Sequence, residues 1–513
     1  MSTSDILMLV AIALYLILML VIGLLYSKNT KSAGDFYLGG RKLGPLVTAM
    51  SAEASDMSSW LLMGLPGLAY LTGVADASWT AIGLAVGTYV NWLIVAKRIR
   101  CYSVVADNSI TVPSFFSNRY KDKSGALTLI SALVIVIFFV PYTASGFAAC
   151  GKLFSSLFGL DYIWAMLISA VVIVAYTALG GFLAASTTDL IQSIVMTVAL
   201  IVVLGFGFVH AGGWNAVWEN AKSLPGFLSF TQTHVVETNS AAPYGFINII
   251  SMMAWGLGYF GMPHILLRFM AIKDKSKLKT SRRIASIWVV ISLAVAVVIG
   301  IVGLGMTKAG AIETLEGSNS ETLIVKISAL IASAGPLMAI VAGIILAGIL
   351  AATMSTADSQ LLAASSSVSQ NIIQEVFKIK ISRKAEMIIA RLTLVGVSIV
   401  AAFIARDPNS NVFNIVSFAW AGFGAAFGPV VLTALFWKRS NKWGAFAGMA
   451  SGAAMVFIWK YLVRPLGGMW NIYELLPAFI VATVAIIVVS LLTKAPEKAI
   501  IDEFDKAKAM AKQ

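Results

Sequence analysis

Charged residues are scarce in this chain of 513 residues: Asp, Glu, Lys and Arg together account for only 12% of it. A soluble globular protein usually carries about 25%, because its surface must face water. Hydrophobic residues account for 59%, and the mean hydropathy is +0.87. This composition excludes a soluble enzyme, a disordered protein and a secreted disulfide scaffold. Because the apolar runs recur along the whole chain, it predicts a single membrane domain.

The residues that build metal sites and disulfides are scarce as well. The chain has three histidines and two cysteines. The spacing of a transition-metal site is absent from the histidines, which are His210, His234 and His264, and from the cysteines. We place Cys101 and Cys150 on opposite sides of the membrane, and we therefore expect no disulfide between them.

Motifs for other functions are also missing from the sequence. It contains no Walker-type phosphate loop, so ATP is not expected to be the direct energy source. No nucleophile–base pairing points to a membrane enzyme, and the short C-terminal tail has no room for a signalling domain. These absences favour a secondary transporter. An ion channel remains an alternative, which saturable uptake against a gradient would exclude.

Thirteen segments are long and apolar enough to span a bilayer, which requires about 20 residues. The first lacks the preceding basic residues of a cleavable signal sequence, and we expect it to be retained. The ninth is long enough to overshoot the bilayer. The segments are 6–26, 45–72, 76–97, 126–150, 161–180, 185–210, 243–266, 284–306, 336–372, 385–405, 412–437, 443–462 and 474–494.

The basic residues alternate between the two sides of these segments. The chain carries a formal charge of +13, and 29 of its 37 Lys and Arg fall in one set of alternate loops against seven in the other. Since basic residues accumulate on the cytoplasmic side, this asymmetry predicts an outside N-terminus and a cytoplasmic C-terminal tail, 495–513. It indicates topology and attraction to anionic membrane lipids, rather than nucleic-acid binding.

Polar residues within a span mark candidate sites, because they are costly when they face lipid. Residues 51–60 of the second segment contain two carboxylates and four hydroxyls. Glu53 and Asp56 are three residues apart, hence on one helix face. Gly64 and Pro66 further weaken a regular helix, and an interrupted helix frees carbonyls to coordinate a cation. The alternative is a buried carboxylate without a transport role, which fits Glu53 better than Asp56.

A second candidate break lies in residues 253–264 of the seventh segment, which hold three glycines and Pro263. Trp255 and Tyr259 are four residues apart and can present aromatic faces to one side. Such faces suit an apolar ring or an ammonium group. The alternative is an aromatic packing stripe, with glycines that allow close helix approach.

A third polar stretch, 351–360, lies in the ninth segment. Ala352, Ser355, Thr356 and Ser359 fall on one helical face. Two hydroxyls and a carbonyl from that face suit a small hard cation such as Na+. The alternative is that the hydroxyls bond only to their own preceding turn.

Two further polar residues are weaker candidates. Asp189 follows the Gly180–Gly181 turn and is a candidate for the inner mouth, while Tyr142 follows Pro141 at a possible kink. The two interrupted segments, 45–72 and 243–266, are five segments apart. Paired interruptions in two halves are typical of an inverted-repeat transporter.

Several stretches resemble the sodium/solute symporter family, and most closely its bacterial sodium/proline branch. They are Tyr37-Leu38-Gly39-Gly40-Arg41, Ala54-Ser55-Asp56-Met57-Ser58, Trp255-Gly256-Leu257-Gly258-Tyr259-Phe260-Gly261, Met354-Ser355-Thr356 and the run from Ala419 to Pro429. The resemblance implies an all-α membrane protein with a leucine-transporter-like 5+5 inverted repeat. Its parts would be an extra helix at 6–26, repeats at 45–210 and 243–437, and two further helices within 443–494.

The resemblance also implies site residues. Sodium ligands would be the carbonyls of Ala54, Met57 and Ala352 and the hydroxyls of Ser355 and Thr356, with Asp56 essential nearby. The solute would contact Tyr142, Trp255 and Tyr259, with Ser55 and Ser58 close to both ligands. Arg41 would belong to the inner gate, and Pro263 would shape the second break. Glu53 and Ser59 depart from relatives that have glycine there.

The function that follows is electrogenic symport of Na+ with L-proline, one to one, across a bacterial inner membrane. No enzymatic activity, no cofactor other than the coupling Na+ and no obligatory protein partner are expected. The same scaffold carrying pantothenate or another amino acid is the alternative, as is proline uptake mainly for osmoprotection.

Overall fold

The computed structural model describes residues 2–27, 33–379 and 382–512. Lys28, Lys31 and Lys380, which enter the charge count above, lie outside these ranges. The described chain forms helices throughout and one short hairpin. The α-helices are α1 Thr3–Ser27, α2 Ala33–Leu38, α3 Pro45–Ser59, α4 Leu65–Thr72, α5 Val74–Val90, α6 Ala96–Val105, α7 Val112–Arg119, α8 Ala126–Phe158, α9 Tyr162–His210, α10 Gly213–Ser223, α11 Phe246–Met253, α12 Pro263–Ala271, α13 Leu278–Lys308, α14 Leu323–Ser333, α15 Pro336–Ser366, α16 Arg383–Ile404, α17 Val412–Phe436, α18 Lys442–Ile458, α19 Leu475–Leu492 and α20 Lys498–Lys512.

Within the described ranges, nine helices are long and apolar enough to cross a membrane. The pair Phe246–Phe260 and Pro263–Ala271, which is bent by 45°, is apolar enough when taken together and brings the number to ten if it is counted as one broken span. Three other predicted segments correspond to shorter or broken helices: Tyr162–Ala175, Ile388–Ile404 and the α3–α4 pair. The integral membrane fold is confirmed, whereas the count of thirteen crossings is not confirmed and stays a prediction. The nine helices are Thr3–Tyr26, Val74–Val105, Ala126–Phe158, Gly181–His210, Lys275–Lys308, Pro336–Val376, Val412–Phe436, Lys442–Leu466 and Leu475–Leu492.

The predicted turn between the fifth and sixth segments lies inside α9. The 49 residues of α9 form two helices that join at a kink, and at about 1.5 Å per residue a single straight helix of this length would be more than twice as long as the hydrocarbon is thick. Gly181 has φ 69° and ψ −179° within it. Because an L side chain rarely adopts this conformation, glycine allows the chain to change direction there.

The described residues form one β-hairpin and, outside it, one isolated parallel bridge between Leu43 and Ile272. β1 Gln232–Val235 pairs antiparallel with β2 Ser240–Pro243, with Gln232 opposite Pro243. The hairpin lies between α10 and α11, and apart from Pro243 it lies outside the predicted membrane segments. Since the strands have four residues each, the hairpin leaves the helical architecture unchanged.

The helices divide into a buried centre and a periphery. In the most apolar stretch of 18 residues, 72% of the residues are buried inside the protein for the helix that begins with α15 and 83% for α17. The corresponding share is 28% for both α1 and α19. The centre therefore contains the third polar stretch, while the first and last spanning helices direct most of their apolar side chains outward to lipid.

The C-terminal tail folds into α20 and packs back onto the protein. Phe504 is buried, and ion pairs join Lys121 to Glu503 at 2.6 Å and Lys438 to Asp505 at 2.7 Å. These pairs are partly exposed, and each is worth roughly 0–1 kcal/mol. Burial of the apolar face is the larger contribution to docking.

Candidate transport site

The first break is strained at a serine. Ser58 has φ 49° and ψ −172° in the last turn of α3, and the chain continues through a π turn, Trp60–Gly64, before α4. A non-glycine residue in this conformation costs about 1–3 kcal/mol. The backbone N–H of Trp60 donates to the hydroxyl of Ser58 at 3.1 Å. The predicted interruption of the second segment is therefore present at the predicted place.

A direct hydrogen bond joins the first break to α15. The hydroxyl of Ser355 donates to the carbonyl of Ala54 at 2.8 Å and lies 3.2 Å from the carbonyl of Ala352. The hydroxyl of Thr356 donates to the same Ala352 carbonyl at 3.1 Å. These four residues are buried, so two stretches about 300 positions apart bring oxygen atoms together in the protein interior.

The carboxylate of Asp56 faces the second break. The hydroxyl of Tyr259 donates to its Oδ2 at 2.6 Å, while Oδ1 has no hydrogen-bond partner among the described residues. The hydroxyl of Tyr142 donates to the Asp56 backbone carbonyl at 2.9 Å. A buried carboxylate oxygen without a partner is costly. Asp56 therefore contacts two predicted solute residues, Tyr142 and Tyr259. Ala54, which accepts the hydrogen bond from Ser355 on α15, lies two residues before Asp56 on α3.

The second break combines a 3-10 turn, Ala254–Phe260, with a helix that restarts at Pro263. Its glycines permit close approach of helices: a Cβ on Gly256 would overlap the backbone of Gly83 on α5, and one on Gly258 would overlap the Trp420 ring. The packing interpretation therefore applies to these glycines. Pro263 lies at the first position of α12, where its missing N–H is not needed.

Trp255 lies at the centre of an aromatic cluster. Its ring centroid is 5.5 Å from that of Trp60, 5.2 Å from that of Phe413 and 5.2 Å from that of Tyr473. The indole N–H of Trp420 donates to the Trp255 carbonyl at 2.7 Å. The cluster fixes both the ring and the backbone of Trp255.

A narrow cavity lies between the two breaks. About 10 Å³ is open to the centre of a water-sized molecule, which is room for about one water. Binding of a larger solute therefore requires these side chains to move apart. The lining residues are Asp56, Met57, Trp60, Leu84, Tyr142, Trp255, Val416 and Trp420.

Three predicted solute residues, Ser55, Ser58 and Tyr259, do not line the cavity. The hydroxyl of Ser55 donates to the Ala52 carbonyl of its own helix at 3.1 Å. The hydroxyl of Ser58 accepts the backbone N–H of Trp60 within the first break. Glu53, which departs from the family pattern, accepts the indole N–H of Trp92 at 2.8 Å, and its Oε2 has no partner among the described residues.

Asp189 belongs to a buried network below the first break. Arg268 pairs with its Oδ2 at 3.1 Å and donates to the hydroxyls of Ser51 at 2.9 Å and Ser359 at 2.5 Å. The Ser359 hydroxyl also lies 3.0 Å from the Ser355 carbonyl. The network therefore joins four helices, α3, α9, α12 and α15, next to the predicted ion ligands.

Arg41 forms a second polar contact network. It donates to the carbonyls of Met270 and Ser109 at 2.5 and 2.9 Å, and to the side chains of Ser103 and Asn108 at 3.1 Å each. Burial, and then the charge of Arg100, lower the pKa of Arg41 to about 10. It stays protonated at neutral pH and ties the segment before α3 to α6 and α12.

Sequence reasoning missed several of these residues. Trp60 ends the polar stretch 51–60, and Trp420 lies in the run from Ala419 to Pro429 quoted for the family, but their proximity to Trp255 depends on the fold. The predicted seventh segment ends at residue 266 and leaves Arg268 outside it, whereas α12 continues to Ala271. The apolar run on both sides of Arg268 is the signal that indicates a longer helix.

The chain matches the model of the sodium:solute symporter family over residues 36–452, well over half of its length. It belongs to that family. The resemblance found in the sequence is confirmed, and with it Na+ as the coupling ion of the family.

Two curated bacterial relatives are similar to this symporter over nearly their whole length. The osmoregulated proline transporter OpuE of Bacillus subtilis is 40% identical over 490 residues, 96% of each chain. A sodium/proline symporter of Staphylococcus aureus is 40% identical over 510 residues, 98% of this chain and 96% of the relative.

Two solved structures share the fold of this symporter. A Na+-coupled sialic acid symporter in a substrate-bound outward-open state has a TM-score of 0.76 at 16% identity, covering 96% of this chain and 99% of that one. MhsT in complex with L-phenylalanine has a TM-score of 0.51 at 14% identity, with coverage of 88% and 98%. The leucine-transporter-like fold predicted from the sequence is thereby confirmed.

Proposed function

We propose that this symporter couples inward movement of Na+ to uptake of L-proline by alternating access. The names of the Bacillus and Staphylococcus relatives support proline as the solute. The observation that carries the coupling is the double contact of one short segment of α3. Ser355 donates to Ala54, and Tyr259 donates to Asp56, so this segment touches the candidate ion ligands and the candidate solute residues at once.

The proposed sodium site uses the carbonyls of Ala54, Met57 and Ala352 and the hydroxyls of Ser355 and Thr356. Oxygen donors suit a hard cation. Each hydroxyl oxygen that now donates to a carbonyl keeps lone pairs with which it can accept an ion. The charge of the nearby Asp56 carboxylate favours cation capture in this buried place.

The proposed solute site matches a zwitterion with an apolar ring. Trp255 and Tyr259 offer aromatic faces for the ring and the ammonium group. The indole N–H of Trp60 is a buried donor without an acceptor among the described residues, and Trp60 lines the cavity, so we propose it as a partner for the carboxylate. Tyr142, Ser55 and Ser58 complete the set around Asp56.

Binding of Na+ would hold α3 and α15 together and thereby order the break that carries solute contacts. By thermodynamic reciprocity, solute then raises the affinity for Na+ by the same factor. One charge moving through about 100 mV yields about 2.3 kcal/mol. A tenfold Na+ gradient adds about 1.4 kcal/mol. The sum is enough for an accumulation of several hundredfold with one Na+ per solute.

We further propose a transport role without enzymatic activity, in a bacterial inner membrane. The basic-residue asymmetry supports an outside N-terminus and a cytoplasmic C-terminus. The repeats are proposed at 45–210 and 243–437, each beginning with a broken helix, with 6–26 and 443–494 as accessory parts of one domain and anionic lipid as the surrounding partner. No obligatory protein partner is proposed.

Uptake of labelled proline into proteoliposomes tests the proposal. With an imposed inward Na+ gradient, proline should accumulate, and an inside-negative potential should increase the rate because net charge enters. A matched K+ gradient is the control. Proline that only equilibrates, or that enters at the same rate without Na+, would contradict symport.

A solute panel tests the choice of substrate. We expect unlabelled proline to compete at micromolar concentration, while pantothenate and other amino acids do not. If another solute competes and proline does not, the scaffold carries that solute and the proline assignment is wrong.

A further inference from the structure

A tyrosine from outside the proposed repeats packs against Trp255, a residue of the proposed solute site. Tyr473 lies in the link between the 3-10 turn Gly468–Trp470 and α19, within the segment proposed as accessory. Its side chain is nevertheless buried, with 2% of its surface exposed. Its ring stacks on that of Trp255, with centroids 5.2 Å apart and planes inclined by 22°.

Tyr473 is fixed to two helices of the second proposed repeat. Its hydroxyl donates to the carbonyl of Ser417 on α17 at 2.6 Å, and its backbone N–H donates to the hydroxyl of Ser251 on α11 at 2.6 Å. Trp420, one turn beyond Ser417, holds the carbonyl of Trp255. Trp255 is therefore held at its backbone by α17 and at its ring by Tyr473.

An ion-pair cluster anchors the link on its other side. The carboxylate of Glu474 is buried and lies 3.0 Å from Arg464 and 3.7 Å from Lys460. The indole of Trp459 donates to the carbonyl of Ile472 at 3.1 Å. Arg464 and Lys460 are partly exposed, whereas the Glu474 carboxylate is fully buried. Because a buried charge is costly without its partners, the cluster resists displacement of the link. Tyr473 is thus held in place independently of the cavity.

We propose that Tyr473 is a positioning residue for solute recognition, which sets the orientation of the Trp255 indole and makes the accessory C-terminal helices part of the transport site. This inference rests on the proposed role of Trp255 in solute binding. Tyr473 is not among the residues that line the cavity, so it acts through Trp255. A stacked aromatic pair is worth on the order of a two- to twelvefold change in an equilibrium constant.

The test is the KM for labelled proline in proteoliposomes. Tyr473→Leu should raise the KM several-fold, while the maximal rate and the Na+ dependence at saturating proline stay near those of the parent. Tyr473→Phe keeps the stacked ring and should keep the KM. The control is Tyr461→Leu, because Tyr461 is also a stacked tyrosine of the accessory segment but is 59% exposed, and its ring packs on Phe457 and Phe418. It should leave the KM unchanged.

A double-variant comparison separates positioning from general destabilisation. In a Trp255→Leu background, Tyr473→Leu should add no further rise in KM, because the ring it orients is gone. An equal rise in that background, an equal effect of Tyr461→Leu, or a parental KM in Tyr473→Leu would overturn the proposal. If Tyr473→Leu is not recovered as monodisperse protein, Tyr473→Met replaces it, since methionine fills the space without a ring.

A wrong substrate assignment gives a result that differs from a wrong role for Tyr473. If the parent protein transports another solute of the panel and not proline, the substrate assignment is rejected. The same variants measured with that solute then decide the role of Tyr473.

Discussion

The two broken helices interrupt a membrane segment by different chemistry. In the first, the break follows buried Glu53 and Asp56 and passes through a serine with positive φ. In the second, a glycine-containing 3-10 turn is packed among aromatic rings and the helix restarts at Pro263. The first break supplies oxygen atoms and charge, while the second supplies flat apolar faces. The comparison suggests a division of labour, in which the ion site uses the first break and the solute site uses both.

A single side-chain hydrogen bond, Tyr259 to Asp56, is the clearest link between the breaks. It pairs the aromatic break with the charged one in a buried place, where hydrogen bonds to charged groups are worth about 1.5–3 kcal/mol. Loss of the charge should therefore uncouple the two sites, and loss of an aromatic ring should weaken only one of them.

The largest effect is expected from Asp56→Asn. The amide keeps the size of the side chain but removes the charge that favours Na+ capture, so Na+-driven proline uptake should fall by at least a hundredfold. Uptake into proteoliposomes at a fixed protein amount measures this, with monodispersity in detergent as the check on folding.

The matched control is Glu53→Gln, since Glu53 is an equally buried carboxylate one turn away. Its Oε1 accepts the indole N–H of Trp92, a contact that a glutamine oxygen can also make. Uptake should stay within a few-fold of the parent. Near-normal Na+ dependence in Asp56→Asn, or an equal loss in both variants, would contradict the special role of Asp56.

A smaller effect is expected from Ser355→Ala on α15, which removes the hydroxyl that bridges to Ala54. The Na+ concentration for half-maximal uptake should rise roughly tenfold, which corresponds to about 1.4 kcal/mol. Ser365→Ala is the control, because the Ser365 hydroxyl bonds to the Leu362 carbonyl of its own helix. If the Na+ requirement is unchanged in Ser355→Ala, this hydroxyl stabilises the structure and does not bind Na+.

The sequence predicted the positions of both breaks because polar residues and glycines stand out against an apolar background. Asp56 and Trp255 could be singled out in this way. The contact between Ala54 and Ser355 could be expected only from the family resemblance, since spacing along the chain says nothing about which helices meet.

Other features depend on packing that no local pattern reports. Phe413 and Tyr473 look like ordinary apolar residues, and their contacts with Trp255 arise from helices folded far from it in sequence. Arg268 lies outside the predicted segment because a charge near the end of an apolar run looks like a loop residue, whereas it belongs to α12. Its partner Asp189 lies on another helix, and a buried pair of this kind becomes visible only in the folded protein.

The smallest effect, and the sharpest test of the division of labour, is expected from Trp255→Ala in the second break. Removal of one aromatic face should raise the KM for proline roughly fivefold, in the range of cation–π and aromatic contacts. The Na+ requirement at saturating proline should change little, since the contact between Ser355 and Ala54 is retained.

The control is Trp443→Ala, because the side chain of Trp443 is half-exposed. Trp92→Ala is unsuitable, since Trp92 contacts Glu53. If Trp255→Ala alters the Na+ requirement as strongly as the proline KM, the two breaks form one indivisible site. If it alters neither, Trp255 serves only in packing.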